Sequence, residues 1–465
     1  MKKQKAKTKK AKDKGDKKLW GGRFKKKIDK QFYRFQKSIH YDYKLAEYDI
    51  YHSLIHVSAL GASGLLTREE ERKLLKALRE VLDEIKKQEF KPHLKSEDIH
   101  TDIHNRVEKK VGKLALKLHS LRSRNDQIVF DEKMYCLKEY SDILRLLSGF
   151  LEELSNKHKN YEKDFFVGYT HTRRAQVIYF SDYLLAYAQM FTRDYERLVN
   201  FQDSLKITLG AGALAGTPLD SKYYQRAVSI AGLVKKHLGE LTSPLDNVSD
   251  RDFIVEFLSI LSILQMHLSR MAEDFILYST KEFDYLDLPE EFCTGSSLMP
   301  HKKNPDFLEL VRGYTGKLYG NLVAVLTMMK GLPLSYNRDM QLDKEPLFSS
   351  VETIKEELRI MVRFMRSLKL KKDNINRALK DEGLYATELA DFLVFKNVAF
   401  KNAHDIVGKL IRYSEDKKIS IKEMSEKTLK SFHKELNQKQ IKRIMNPEYA
   451  VSSKRSIFGR SPKFK

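Results

Sequence analysis

Apolar residues recur along most of this chain at intervals of three and four, the spacing that gathers them on one face of an α-helix. Thr67 followed by Glu70 has the form of a capping box, and Leu74, Leu75, Leu78, Val81, Leu82 and Ile85 then keep helical spacing. Ile143, Leu144, Leu146, Leu147, Phe150, Leu151 and Leu154 make a second stripe, and Phe180, Leu184, Leu185, Ala188 and Phe191 a third. Phe253, Phe257, Leu261, Leu264, Leu268, Met271 and Phe275 make a fourth. No proline falls between Pro92 and Pro218, so the strongest helix breaker is missing from that span. Several helices should exceed the common globular length, with apolar faces wide enough to pack on more than one side. A helical bundle that is also an oligomer interface satisfies such faces. No sustained alternation of period two competes, and the expected fold is all-α.

The patterning divides the chain into four stretches. Residues 1–18 form a lysine-rich tail expected to be disordered, 19–126 an amino-terminal helical domain, and 127–375 a central bundle of long helices. Residues 376–465 form a small helical carboxy-terminal domain with shorter periodic pieces, Leu384 to Val394 and Ala403 to Ile411.

Charge changes this picture little. The formal charge is +23, but residues 1–18 hold ten lysines and two aspartates, so the tail carries +8 and the remainder +15. The tail lacks apolar side chains and has no interleaved aromatic and basic array, RNP motif or zinc finger, so no dedicated nucleic-acid partner is expected. No run of about 18 apolar residues marks a membrane span, and the amino end lacks the apolar core of a secretion signal. Cys136 and Cys293 belong to no C-x-x-C pair, which suits a reducing, cytoplasmic setting. His100 and His104 have zinc-ligand spacing, but Thr101 and Asp102 stand where a metalloprotease motif needs other residues, and no metal is expected. Gly210, Gly212 and Gly216 lack the spacing of a dinucleotide fingerprint.

The densest chemistry lies in Gly295-Ser296-Ser297-Leu298-Met299-Pro300-His301-Lys302-Lys303-Asn304-Pro305. Gly295, Pro300 and Pro305 disfavour a continuing helix, so this is a loop of specified path. Its hydroxyls, ammoniums and carboxamide suit a substrate bearing several negative charges. Upstream, Ser123-Arg124-Asn125-Asp126 presents a guanidinium and a carboxamide ahead of a helix, and Gly168-Tyr169-Thr170-His171 sets a hydroxyl beside an imidazole at what reads as the head of another.

The signature loop resembles that of the fumarase/aspartase superfamily, whose members eliminate fumarate from a succinyl-bearing substrate. Trp20-Gly21-Gly22-Arg23-Phe24, Ser123 to Asp126, Gly168 to His171 with Arg174-Ala175-Gln176, the turn around Gly212 and Gly216, and Tyr336 to Pro346 are similar to segments of argininosuccinate lyases. The resemblance runs from Trp20 to the carboxy end. It implies the superfamily's three-domain fold with a long central bundle and the reversible conversion of argininosuccinate into arginine and fumarate, the last step of arginine biosynthesis. It also implies a homotetramer with each site drawn from three subunits, and no cofactor.

Residue by residue, the resemblance makes Ser296 the base, Lys302 the cation beside the carbanion, and His171 the general acid or its relay, with Glu309 as its charge partner. It carries substrate contacts to Ser38, Asn125, Thr170, Asn304, Tyr336, Gln341 and Lys344, with Arg124 as a carboxylate clamp. The chain departs from the family at Leu121, where glycine is usual, at Thr172, Arg173 and Val177, and at His301. Met299-Pro300-His301-Lys302 is the form adenylosuccinate lyases favour, which makes that enzyme the alternative within the superfamily. A silent structural relative, as among lens crystallins, is disfavoured by the intact Ser296, His171 and Lys302.

Overall fold

The chain is described here by a computed structural model covering residue 26 and residues 28–456; the lysine tail and the Trp20–Phe24 segment lie outside the described residues. Helices dominate, as the patterning predicts. The capping box forms: Oγ1 of Thr67 accepts from the Glu70 amide at 3.2 Å and Oε2 of Glu70 accepts from the Thr67 amide at 3.1 Å. It opens helix Arg68–Lys86, which buries Leu74, Leu78, Val81 and Leu82. Each such side chain contributes about 1.5–3 kcal/mol by leaving water.

Among the described residues five helices run to 24 residues or more: Arg124–Asn160 with 37, Phe180–Ser204 with 25, Asp252–Ser279 with 28, and Asp306–Met329 and Lys344–Ser367 with 24 each. Together the described residues group into two compact units. One runs to Asp142 and takes in Arg197–Leu261 and Leu318–Glu352; the other takes Ile143–Glu196, Ser262–Lys317 and the chain from Thr353 onward. All five long helices give residues to both. In the first unit Phe201 stacks on Phe257, with ring centres 4.9 Å apart. In the second, Phe150 meets Phe191 edge to face at 5.0 Å.

Two expectations are corrected. Helix Asp252–Ser279 is long and apolar enough to cross a membrane by length and composition, although the sequence reading finds no such run. In its most apolar window 61% of the helix is buried within the protein, where Phe257, Leu261, Leu264 and Leu268 serve the core. The segment around His171 does not head a helix. Phe165–Thr170 (β1) pairs antiparallel with Arg173–Tyr179 (β2) in a hairpin whose tip is His171-Thr172. Both tip residues have positive φ, 54° and 59°, as tight two-residue hairpin turns require. Phe166 is fully buried against Phe180 and Tyr278, and Phe165 stacks on Tyr179 across the ladder, so aromatic packing carries these short strands.

One buried acid gives the second unit a pH dependence. Glu357, 5% exposed, lies near Gln265 with both carboxyl oxygens unpaired among the described residues. Burial pushes its carboxyl up to about 8, against a smaller opposing effect of the Gln265 side chain. The folded state therefore holds a proton that the unfolded chain releases near pH 4.5. The stability this proton confers is complete below that point and is lost as pH rises toward 8. Glu357→Gln should raise the unfolding midpoint, with a gain that grows from pH 5 to pH 8 and reaches a few kcal/mol at most. Urea unfolding at the two pH values checks it, and a gain independent of pH contradicts it.

Candidate active site

The first unit gathers six of the expected site residues around buried carboxylates. Ser38, itself buried, donates its hydroxyl to Oδ2 of Asp42 at 2.6 Å, and the other oxygen of Asp42 accepts from the Ile99 amide at 3.1 Å. Asp98 caps helix Ile99–Val111 by accepting from the Thr101 amide at 2.8 Å and pairs through its second oxygen with Arg124. Burial alone would raise the Asp98 carboxyl, but Arg124, His100 and Thr101 outweigh it and hold it down at about 2. Asn125 donates to the carbonyl of Ala213 at 3.1 Å, and Asp126 accepts from the Gly210 amide at 3.0 Å. The glycine turn is thereby tied to the start of helix Arg124–Asn160. Gly212 has to be glycine: its φ is +61°, and a Cβ there would lie 2.4 Å from the Gly216 carbonyl.

On the same unit, Gln341 donates to the Gln36 carbonyl at 3.0 Å, and Arg338 reaches that carbonyl at 3.1 Å and Glu97 at 3.4 Å. Lys344, 3% exposed, sits 2.5 Å from Glu132 and 2.8 Å from Asp343. Arg251 lies 3.0 Å from both carboxylates. Burial works against the Lys344 ammonium, but Asp343 and Glu132 prevail and hold it charged well above the ordinary lysine range. Burial likewise raises the Tyr336 hydroxyl, moderated by Lys344 and Arg338.

The second unit carries the signature loop and the hairpin tip. Thr294 and Asn304 exchange backbone hydrogen bonds of 3.2 and 2.7 Å, closing the loop at its neck. Asp306, first residue of the following helix, accepts from the Thr294 hydroxyl at 2.6 Å, and the Asn304 carboxamide donates to the Gly295 carbonyl at 3.4 Å. Inside this ring Oγ of Ser296 accepts from two backbone amides, Met299 at 3.0 Å and Leu298 at 3.3 Å. Two N–H groups aimed at one hydroxyl oxygen stabilise negative charge there, the arrangement an alkoxide base requires. Ser297 is exposed and Lys302 stands exposed on the same loop. Lys303 is occupied elsewhere, 3.3 Å from Asp287 and 2.5 Å from the Leu288 carbonyl.

Thr170 and His171 are exposed at the hairpin tip. The hairpin is braced from the carboxy-terminal part of the chain, with Arg174 on Asp381 at 3.1 Å and Gln176 facing Glu388, which pairs with Lys454 at 3.0 Å. Glu309 is also exposed, and it lies 3.8 Å from Arg312. Sequence reasoning passed over Asp42, Glu132, Arg251 and Asp343 as site components. Asp343 adjoins a motif lysine, but nothing local in the sequence says that these four are buried and paired.

A family model described as Lyase matches residues 22–320, and one described as Argininosuccinate lyase C-terminal matches residues 383–452. The chain belongs to the argininosuccinate lyase family. It is 44% identical over 417 residues to argininosuccinate lyase of Caldanaerobacter subterraneus subsp. tengcongensis, covering 89% of this chain and 93% of that protein. To the enzyme of Lactococcus lactis subsp. cremoris it is 40% identical over 448 residues, covering 95% of each. Among solved structures it is similar in fold to an EDDS lyase in complex with formate, with TM-score 0.76, 23% identity, and coverage of 89% of this chain and 82% of that one. A class II fumarase from Schistosoma mansoni gives 0.74 at 16% identity, covering 90% and 93%.

Among the described residues of this lyase-family chain, one grouping has the spacing of a metal site. Asp49, His100 and Asp131 are buried with ligand atoms within 4.8 Å of one another. His104 is not part of it, since its Nδ1 faces Nε2 of His119 at 3.2 Å. Charge in the grouping is met on one side only: burial raises the Asp49 carboxyl, and His100, Arg122 and the Gln127 amide together bring it below its ordinary value, whereas burial and Asp49 push the Asp131 carboxyl well above its own, and neither Asp131 oxygen has a hydrogen-bond partner among the described residues.

Leu121, where the family usually has glycine, keeps the glycine-like path, with φ of 58°, and its carbonyl accepts from Thr217 at 3.0 Å. A left-handed conformation costs an L-residue roughly 1–2 kcal/mol, and the extra chain entropy of glycine offsets about 0.5–1 of that. Leu121 is exposed, so little burial would be lost. Leu121→Gly should raise stability by up to about 1 kcal/mol, read as a shift of the urea midpoint. A lower midpoint shows that the side chain contributes more than the strain costs.

Proposed function

We propose that this chain catalyses the reversible elimination of fumarate from argininosuccinate, leaving arginine. The supporting observation is the Ser296 hydroxyl, gripped by two loop amides on the signature loop. A neutral hydroxyl is a poor base, and amides directed at its oxygen favour the alkoxide. Ser296 takes the proton from the succinyl carbon adjacent to a carboxylate. The electron pair collects as an aci-carboxylate beside Lys302, then forms the fumarate double bond as the carbon–nitrogen bond breaks. His171 supplies or relays the proton that the departing guanidino nitrogen receives, with Glu309 setting the charge of its imidazole. Nothing in these steps needs an electron sink or redox partner.

Binding falls to two sets of side chains. Asn304 and Thr170 act from the signature loop and the hairpin; Ser38, Arg124, Asn125, Tyr336, Gln341 and Lys344 act from the first unit. His301 changes the signature loop toward the adenylosuccinate lyase form, but family membership favours argininosuccinate. In our reading the enzyme is cytoplasmic and works as a homotetramer that shares sites. Helix Asp306–Met329 supports assembly: Leu310, Val323 and Leu326 are exposed on it, and Gly313, Gly316 and Gly320 have open space where a Cβ would stand. Such a face admits close approach by another helix.

Fumarate absorbance with argininosuccinate and, separately, adenylosuccinate tests the substrate. Ser296→Ala should lower kcat at least a hundredfold, within the roughly 10²–10⁴ span for loss of a positioned base, with a modest change in KM. Ser297→Ala should be milder. Retention of more than a tenth of wild-type kcat in folded Ser296→Ala protein would move the base elsewhere.

Shared sites make a second prediction. Co-expressed His171→Asn and Ser296→Ala chains should recover partial activity, because some mixed sites receive both intact segments. Activity no higher than either variant alone, or a fully active monomer in sedimentation, contradicts sharing.

A further inference from the structure

Ser38 opens helix Ile39–Asp42, yet its hydroxyl caps no backbone amide there. It is spent on Oδ2 of Asp42 at 2.6 Å, within a site where both residues are buried. A serine hydroxyl has a single proton. Once that proton is given to a carboxylate, the oxygen can offer only lone pairs to anything else. Asp42 is held in this role from its other side, since Oδ1 accepts from the Ile99 amide at 3.1 Å and cannot turn away.

We infer that Asp42 is a positioning residue that fixes Ser38 as an obligate acceptor, so that Ser38 recognises a cationic N–H group of the substrate's arginyl part and not a carboxylate. This rests on the functional reading above, in which Ser38 contacts substrate. It assigns the succinyl carboxylates to other partners, the Arg124 and Lys302 cations and the amides, and makes Ser38 a discriminator between the two ends of the molecule.

Protonation of Asp42 reverses the hydrogen bond, because a carboxylic acid donates to the serine oxygen and frees the serine proton to face the substrate. The groups acting on Asp42 come from every side of it: Asp98 and His100 at the start of helix Ile99–Val111, Lys344 from its own helix, and Ser38. Tyr41 beside it stays neutral, its hydroxyl pushed up to about 12 chiefly by burial. Burial and Asp98 raise the Asp42 carboxyl to about 6, against His100, Ser38 and Lys344. Acceptor character is therefore complete at pH 8 and fades as pH falls through this range.

Steady-state kinetics of the full-length protein with argininosuccinate test the inference through Asp42→Asn, Ser38→Ala and the double variant. In Asp42→Asn the Ile99 amide claims the amide oxygen, which leaves the NH₂ to donate into Ser38. At pH 8, KM should rise at least tenfold with kcat within threefold of wild type, and the double variant should be no worse than Ser38→Ala. Wild-type KM should rise as pH is lowered from 8 to 5.5, and KM of Ser38→Ala should not. If Asp42→Asn fails to fold, that pair of pH profiles carries the test. An unchanged KM in folded Asp42→Asn, penalties that multiply in the double variant, or parallel pH profiles overturn the inference. A wild-type protein that releases no fumarate overturns the functional reading itself.

Discussion

A charged group removed from water has to be paired, and in the first unit that requirement draws distant stretches of chain to one place. Glu132, Arg251, Asp343 and Lys344 are all buried, with separations of 2.5 to 3.0 Å among their charged atoms. Removing one partner from such a set costs about 3–5 kcal/mol because the remaining charge is stranded. Two carboxylates and two cations from three separate segments therefore fix one another. The Lys344 ammonium is held between Glu132 and Asp343 and cannot swing into solvent. The buried Asp42 and the partly exposed Asp98 extend the same logic, each carboxylate engaging one side chain, Ser38 and Arg124 respectively.

The second unit depends on backbone closure instead. Its signature loop is cinched by the Thr294–Asn304 exchange and by Asp306, and those short closures turn the Leu298 and Met299 amides onto Ser296. The hairpin places Thr170 and His171 at a tip with two adjacent left-handed residues, neither of them glycine. Backbone strain of this kind persists only where the surroundings enforce it. The enforcement is visible in the aromatic layer beneath β1 and in the salt bridge from Arg174 to Asp381. Under the mechanism proposed above, the rate depends on where Ser296 and His171 point, and the loop neck and the hairpin brace then act on function at a distance from the reacting atoms.

Much of this was legible in the residues themselves. Helical spacing of leucines, a capping box at Thr67 and a proline-free central span are local facts, and local hydrogen bonding with one-sided burial suffices to realise them. The signature loop was legible for a similar reason, since Gly295, Pro300 and Pro305 restrict the backbone wherever they occur. The hairpin was not: Phe165 to Tyr179 is too short and too interrupted, by Gly168 and the polar tip, to show a clear period of two. Its strands exist because Phe166 finds Phe180, Tyr278 and Tyr285, which lie up to 119 positions away in the chain.

The sequence by itself determined the helical class, the long central helices, the loop that carries Ser296 and the family to which the chain belongs. Tertiary structure alone decided which charged side chains are buried and what each is bonded to. Asp42 and Asp49 look alike in the sequence, yet burial and Asp98 raise the first to about 6, whereas His100, Arg122 and Gln127 overcome burial and lower the second. The reason is physical: helical periodicity is encoded within a few residues, but the electrostatic state of a carboxylate depends on solvent access and on neighbours brought from elsewhere in the chain.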